Sequence, residues 1–216
     1  MGLYGMDAFV VEVEADISVG LPGFDVVGLP DAAVKESRDR VRSAMKNCGF
    51  DFPVHKITVN LAPADKRKEG PIYDLPLLVT LMKASGQLNA ELSDSVFLGE
   101  LSLTGETRPI KGVLPMAIKA KEQGFQKLYV PEANSTEGAV VEGITVYPVK
   151  DLLTLIKHLT GREEIQPAFA SPYTPQNQMP LPDFSEVRGQ FEAKRALEIA
   201  AAGGHNVMQL GYNVMC

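Results

Sequence analysis

Basic side chains crowd into one stretch of this 216-residue chain. Residues 31–70 hold nine of them, Lys35, Arg38, Arg40, Arg42, Lys46, Lys56, Lys66, Arg67 and Lys68, against six acids. Residues 1–30 hold five acids, Asp7, Glu12, Glu14, Asp16 and Asp25, and no lysine or arginine. Arg38, Arg42 and Lys46 stand four apart, so a helix brings them to one side. Such a row can contact phosphates and gains by releasing the counterions of a nucleic acid. The competing use is a solvated face or a subunit contact, and the interleaved Asp31, Glu36 and Asp39 favour it through local pairing. No aromatic residue is interleaved with the row, which argues against stacking on unpaired bases.

A phosphate loop is the other chemistry to look for. The apolar run 207–210 reads as a strand, and Gly211 follows where a strand-to-helix loop would begin. A loop of the form Gly-x-x-x-x-Gly-Lys-Ser/Thr cradles phosphates with its N–H groups, pairs them with its lysine and holds magnesium with its hydroxyl. Here Cys216 stands where the second glycine belongs, and Gly-Lys occurs nowhere in the chain. Gly211 is the sole remnant of the motif, so no nucleotide cofactor is expected to bind this chain. Metal chemistry is also not expected: Cys48 and Cys216 form no Cys-x-x-Cys, and His55, His158 and His205 are scattered without ligand spacing.

The elements that must position these residues alternate between two periods. Residues 8–17 alternate apolar and polar as a strand with one wet face, and 24–27 reads as a short partner strand across the turn Gly20-Leu21-Pro22-Gly23. Asp31 can cap a helix that runs to about Cys48 and stops at Gly49. Further strands are expected at 56–61, 96–98, 127–130 and 145–149, with a hairpin over 101–110. Further helices are expected at 74–85, 114–123, 135–141 and 151–160. The interleaving predicts an α/β domain with a mixed sheet over 1–161. Five prolines between Pro167 and Pro182 mark 162–183 as an extended linker. Residues 184–216 then open a second α/β unit with one helix, 192–201, and one strand.

Composition bounds the reading. With 45% hydrophobic and 22% charged residues the chain is an ordinary globular protein, neither collagen-like nor wholly disordered. Acids outnumber bases 27 to 21, a net charge of −6, so any contact with nucleic acid must be local. No apolar run reaches the roughly 18 residues of a membrane-spanning helix. No basic n-region opens the chain, so no membrane partner and a cytoplasmic location are expected.

Several blocks stand in a telling order: Gly20-Leu21-Pro22, Val27-Gly28-Leu29-Pro30-Asp31, Ile57-Thr58-Val59-Asn60-Leu61-Ala62-Pro63-Ala64-Asp65 and Phe97-Leu98-Gly99-Glu100-Leu101. Arg195-Ala196-Leu197-Glu198-Ile199-Ala200-Ala201-Ala202-Gly203-Gly204-His205-Asn206 completes them. Together they resemble the bacterial magnesium-chelatase-like AAA+ ATPases of the ComM and YifB group. The resemblance implies a Lon-protease-like N-terminal domain of the ribosomal S5 domain 2 type, a linker, and the first helix and strand of a P-loop ATPase module. It also implies, for the full-length family, ATP and magnesium as cofactors, a hexameric ring on DNA, and branch migration of recombining DNA during natural transformation. Family members continue after the strand into a Gly-Pro-Pro-Gly loop, whereas this chain has Gly211-Tyr212-Asn213-Val214. A frameshift or a premature stop fits that departure.

The same resemblance raises peptidase chemistry. Lon-type peptidases pair a serine with a buried neutral lysine. The serine follows a Lys-Asp-Gly-Pro-like turn, and here Lys68-Glu69-Gly70-Pro71 leads to Ile72. The lysine follows a Pro-Ile-Gly-Gly-Leu-like stretch, and here Pro109-Ile110-Lys111-Gly112-Val113 leads to Leu114. Both positions are apolar, so no catalytic residue is expected and the domain is read as a scaffold with weak DNA contact at most. A Lon-like peptidase and a magnesium-chelatase subunit are the alternatives.

Overall fold

The computed structural model describes residues 1–5, 7–170 and 183–208, in two compact units, Met1–Ser171 and Pro172–Cys216. The first unit is a mixed α/β fold. Its N-terminal strands are β1 (Gly2–Tyr4), β2 (Asp7–Phe9), β3 (Glu12–Ser18) and β4 (Gly23–Val27), followed by helix α1 (Ala32–Asn47) and strand β5 (Lys56–Ala62). Helix α2 (Asp74–Ala84), strands β6 (Ser95–Phe97), β7 (Glu100–Leu101) and β8 (Thr107–Arg108), and helix α3 (Val113–Glu122) come next. Strand β9 (Lys127–Pro131), helix α4 (Ser135–Ala139), strand β10 (Thr145–Val149) and helix α5 (Leu152–Leu159) complete it.

Helix α1 forms where its caps dictate. The Asp31 carboxylate accepts from the Val34 N–H at 2.8 Å, satisfying an orphan donor of the first turn. At the other end Gly49 adopts φ +82°, its N–H reaches the Lys46 carbonyl, and the Phe50 N–H reaches that of Met45. That pair of bonds closes the last turn in the left-handed manner glycine favours. Val34, Val41, Ala44 and Met45 are fully buried along one stripe, which leaves the opposite side of the helix in water.

Strand β5 is the centre of a three-stranded sheet, order β3-β5-β4, antiparallel to β3 and parallel to β4. The expected direct pairing of 24–27 with the first strand is therefore replaced by insertion of β5 between them. A parallel pair needs a crossover of a dozen or more residues, and α1 supplies it between β4 and β5. Ile57, Val59 and Leu61 point inward and are buried, as a central strand requires. The run 8–17 is also not one strand: it breaks after Phe9, and β2 folds back on β1. Phe9 and Val11 enter the core around α1 and α2, while Ala8 and Val10 pack on a second core beneath α3. That second core lies against the parallel sheet β10-β9-β6. The hairpin expected over 101–110 is the pair β7–β8.

Residues 162–168, expected to belong to the linker, partly pack on the first unit. Ile165 is buried, and the Ala168 N–H donates to the Val146 carbonyl at 2.8 Å. His158 accepts the Ile165 N–H at Nδ1 (3.0 Å), and its Nε2 lies 3.3 Å from the Tyr129 hydroxyl. Burial lowers the His158 pKa below its ordinary 6.5. A histidine with a depressed folded pKa stabilises the fold fully above its unfolded pKa, and that stability is lost as pH falls below about 6.5. The urea midpoint of the wild-type chain should therefore drop on acidification more than that of His158→Phe. Parallel pH profiles would contradict the contact.

In the second unit, helix α6 (Phe191–Gly203) covers the expected helix and ends at Gly204, φ +64°. Val207 and Met208, expected in a strand, are not in one. No strand lies among the described residues of this unit to pair with them, and an unpaired strand is not stable in water. Gly211 and Cys216 lie outside the described residues. Among the described residues no helix is long and apolar enough to cross a membrane.

Candidate functional site

Arg38, Arg42 and Lys46 share the exposed side of α1, as their spacing predicts. They line one groove of about 210 Å³ together with Phe24, Phe52 and His55. The Phe24 and Phe52 rings stack, with centroids 6.2 Å apart, and the Arg42 guanidinium lies 5.8 Å from the Phe52 centroid. Arg38 donates from Nε to Asp39 at 3.0 Å, so one edge of its guanidinium is engaged. Arg42 and Lys46 have no carboxylate partner among the described residues. The expectation that no aromatic residue accompanies the row is thus corrected. Phe24 comes from β4 and Phe52 from the loop after α1, and both reach the row only through tertiary packing.

Two other bases of the same stretch, Arg40 and Lys68, are drawn into the fold, and Lys66 and Arg67 stay at the surface beside local partners. Arg40 grips the buried Asp74 of α2 with two bonds, Nε to Oδ2 at 2.6 Å and Nη2 to Oδ1 at 3.0 Å. The Asp74 Oδ2 also accepts the Leu101 N–H at 3.0 Å, which ties α1, α2 and β7 together. The hydrogen bond to Asp74 raises the Arg40 pKa further above its ordinary value. Lys68 is buried, with its ammonium on the Pro63 carbonyl. Arg67 pairs with Glu69 at 3.3 Å, and Lys66 sits 4.7 Å above the Phe9 ring. The groove gathers Arg38, Arg42 and Lys46, while Lys35 and Lys56 are exposed outside it.

The two turns with peptidase-like spacing do meet. A cavity of about 400 Å³ is lined by Glu69, Pro71, Ile72, Glu100, Ile110 and Lys111, among others. The Asp31 carboxylate holds one wall, accepting the Gly70 N–H at 3.0 Å while it caps α1. Backbone bonds from Asp31 to Lys68 and from Lys68 to Leu29 clamp the same turn. Gly28, at φ +99°, allows the clamp because a side chain there would collide with the Leu61 carbonyl. Ile72 faces the cavity with a hydrocarbon, and no serine, threonine or cysteine lines it. Leu114 does not line it; its N–H donates to Glu137 at 2.9 Å and its side chain is partly exposed. Lys111 is the only amine on the wall, and it has no nucleophile to activate. Among the described residues no group of three or more His, Cys, Asp or Glu is arranged to hold a metal ion.

Comparison with known proteins fits this geometry. The family model described as subunit ChlI of Mg-chelatase matches residues 13–134, more than half of the chain. A second, magnesium chelatase subunit ChlI, matches residues 183–213. Competence protein ComM of Haemophilus influenzae is 42% identical over 96% of this chain and 41% of its own length. YifB of Escherichia coli is 42% identical over 96% of this chain and 40% of its own. A Lon protease of Mycolicibacterium smegmatis is 23% identical over 72% of the chain, in keeping with a Lon-like first unit. The chain spans about two fifths of the length of the ComM and YifB relatives it matches. A match of this extent means that the chain belongs to the magnesium-chelatase ChlI-like family that includes ComM and YifB.

Proposed function

We propose that this chain is the non-catalytic accessory portion of an ATP-driven DNA-remodelling protein, and that it contacts DNA phosphates through Arg38, Arg42 and Lys46. The observation that carries the DNA contact is their convergence with His55 on one groove, while Arg40 and Lys68 are spent on the fold. The family resemblance supplies the wider reading: a ring of six subunits that drives branch migration during transformation, in the cytoplasm where DNA is handled. A relative named for competence agrees with that setting. The scaffold role rests on Ile72, which replaces a nucleophile with a side chain that cannot attack a carbonyl.

DNA contact is expected to be weak, because the net charge of −6 repels a polyanion beyond the groove. The test is fluorescence anisotropy with a labelled four-way junction and a plain duplex, from low to physiological salt. Binding at low salt that fades as salt rises supports the reading. No binding at any salt overturns it.

We further propose that residues 1–216 by themselves bind neither ATP nor its magnesium. Without a Gly-Lys dipeptide no lysine can meet the phosphates from a phosphate loop. Isothermal titration of the chain with Mg-ATP should give no saturable heat, and micromolar affinity would show that other residues form a site.

A further inference from the structure

The chain that follows α5 is tied back onto the first unit at two backbone points. The Ile165 N–H donates to His158 Nδ1 at 3.0 Å, and the Ala168 N–H donates to the Val146 carbonyl at 2.8 Å. Between them the Ile165 side chain is buried, while Glu164 and Gln166 are exposed. Residues 164–168 thus form a strap along β10, the end strand of its sheet. On its inner side β10 pairs with β9, and the Thr145 N–H meets the Gln126 carbonyl there. By alternation Val146 and Pro148 turn their backbone groups outward, and Pro148 has no N–H to offer, as suits an edge strand.

The tie at Ile165 needs a neutral imidazole. A ring nitrogen that accepts carries no proton, so neutral His158 holds its hydrogen on Nε2, facing the Tyr129 hydroxyl at 3.3 Å. A second proton then enters at Nδ1 and turns that nitrogen into a donor, set against the Ile165 N–H. The ring is held from turning away. Its centroid lies 4.9 Å from that of Tyr147 and 5.7 Å from that of Tyr129, and the two tyrosines stack at 4.9 Å. Aromatic faces attract an imidazolium, so the ring stays and the strap gives way. The charges around the ring oppose one another. Lys127 of β9 disfavours the second proton but pairs with Asp94 at 3.1 Å, and Glu164 of the strap favours it. Lys157, on the ring's own helix, pairs with Glu163 at 2.8 Å. Burial is the largest influence and keeps the ring neutral down to below pH 6.5.

We propose that residues 164–168 are a proton-released strap: a solvent proton taken up at His158 Nδ1 detaches Ile165 and Ala168 from β10 while the rest of the first unit keeps its fold. One N–H bond forms at Nδ1, and the hydrogen bond from Ile165 breaks. This goes further than a loss of stability in acid, because the opening is confined to the strap. Release bares an edge strand, which is then open to pairing with another extended segment. It also adds up to about 17 Å to the reach of the chain that leaves the first unit.

The test is amide hydrogen exchange of the full chain, followed residue by residue by NMR as protection relative to an unstructured chain at the same pH. Protection of the Ile165 and Ala168 amides should fall several-fold between about pH 7.5 and about pH 5, with its midpoint at that of the His158 ring titration. At the acid end their exchange should not respond to low urea, whereas that of Val59, buried on β5, should, because a local opening exposes little surface. His158→Asn keeps an acceptor for the Ile165 N–H but takes up no proton, so its strap amides should stay protected across the range. His158→Phe keeps a ring without an acceptor, so its strap amides should be weakly protected at both ends. The proposal is overturned if the wild-type strap amides keep their protection in acid, or if they exchange with the urea response of Val59. It is equally overturned if His158→Asn loses protection on acidification as the wild type does.

Discussion

Replacing Arg40 with methionine should cost the first unit about 3 kcal/mol of stability, read as a fall in urea midpoint with an unchanged slope. The substitution keeps the aliphatic stem but leaves Asp74, which is fully buried, without its bidentate partner. Breaking a buried pair from one side strands a charge, and that penalty exceeds the net worth of the intact pair. The loss also frees Ser37 and the Ala33 carbonyl, which accept from the same guanidinium at 3.2 and 3.0 Å. Arg40→Met combined with Asp74→Asn should recover part of the loss, because the amide oxygen can still accept the Leu101 N–H. A single-variant cost below about 1 kcal/mol, the range of an exposed pair, would show that Arg40 is not what holds α1 to α2.

Removing the groove's cations should instead spare stability and reduce DNA affinity. In an Arg38→Ala, Arg42→Ala, Lys46→Ala variant the three lost side chains are exposed, so the fold should hold. If all three meet phosphates, the slope of log affinity against log salt on a duplex should become shallower by about three steps of 0.9. The comparison that isolates the groove is Lys66→Ala with Arg67→Ala, which removes two other cations, on another loop, that do not line it. That pair should leave the slope almost unchanged. Equal effects of the two variants would point to diffuse attraction rather than to a site.

The sequence made the local elements legible because their causes are local. Asp31, the buried stripe from Val34 to Met45 and the stop at Gly49 all act within a few residues of the helix they define. Strand β5 was equally plain from Ile57, Val59 and Leu61. Its place between β3 and β4 was not, because pairing partners are chosen by packing across the chain. The break after Phe9 was hidden because one alternating run serves two cores, and alternation alone does not say where a strand changes sheets. The row on α1 followed from helical spacing, whereas its aromatic wall depends on Phe24 and Phe52 from separate segments. Arg40 looked like any other base of its stretch; only the arrival of Asp74, 34 residues on, separates it from its neighbours.

The most direct test of the central claim is to map the DNA contact residue by residue. Amide chemical shifts of the isotope-labelled chain would be followed during titration with a four-way junction at low salt. Shifts should cluster on α1 between Arg38 and Lys46 and on the loop at Phe52 and His55, while the walls of the Ile72 cavity stay silent. Shifts concentrated around Ile72 and Lys111, or spread over Lys119, Lys121 and Lys157 with α1 unaffected, would contradict DNA binding at the groove.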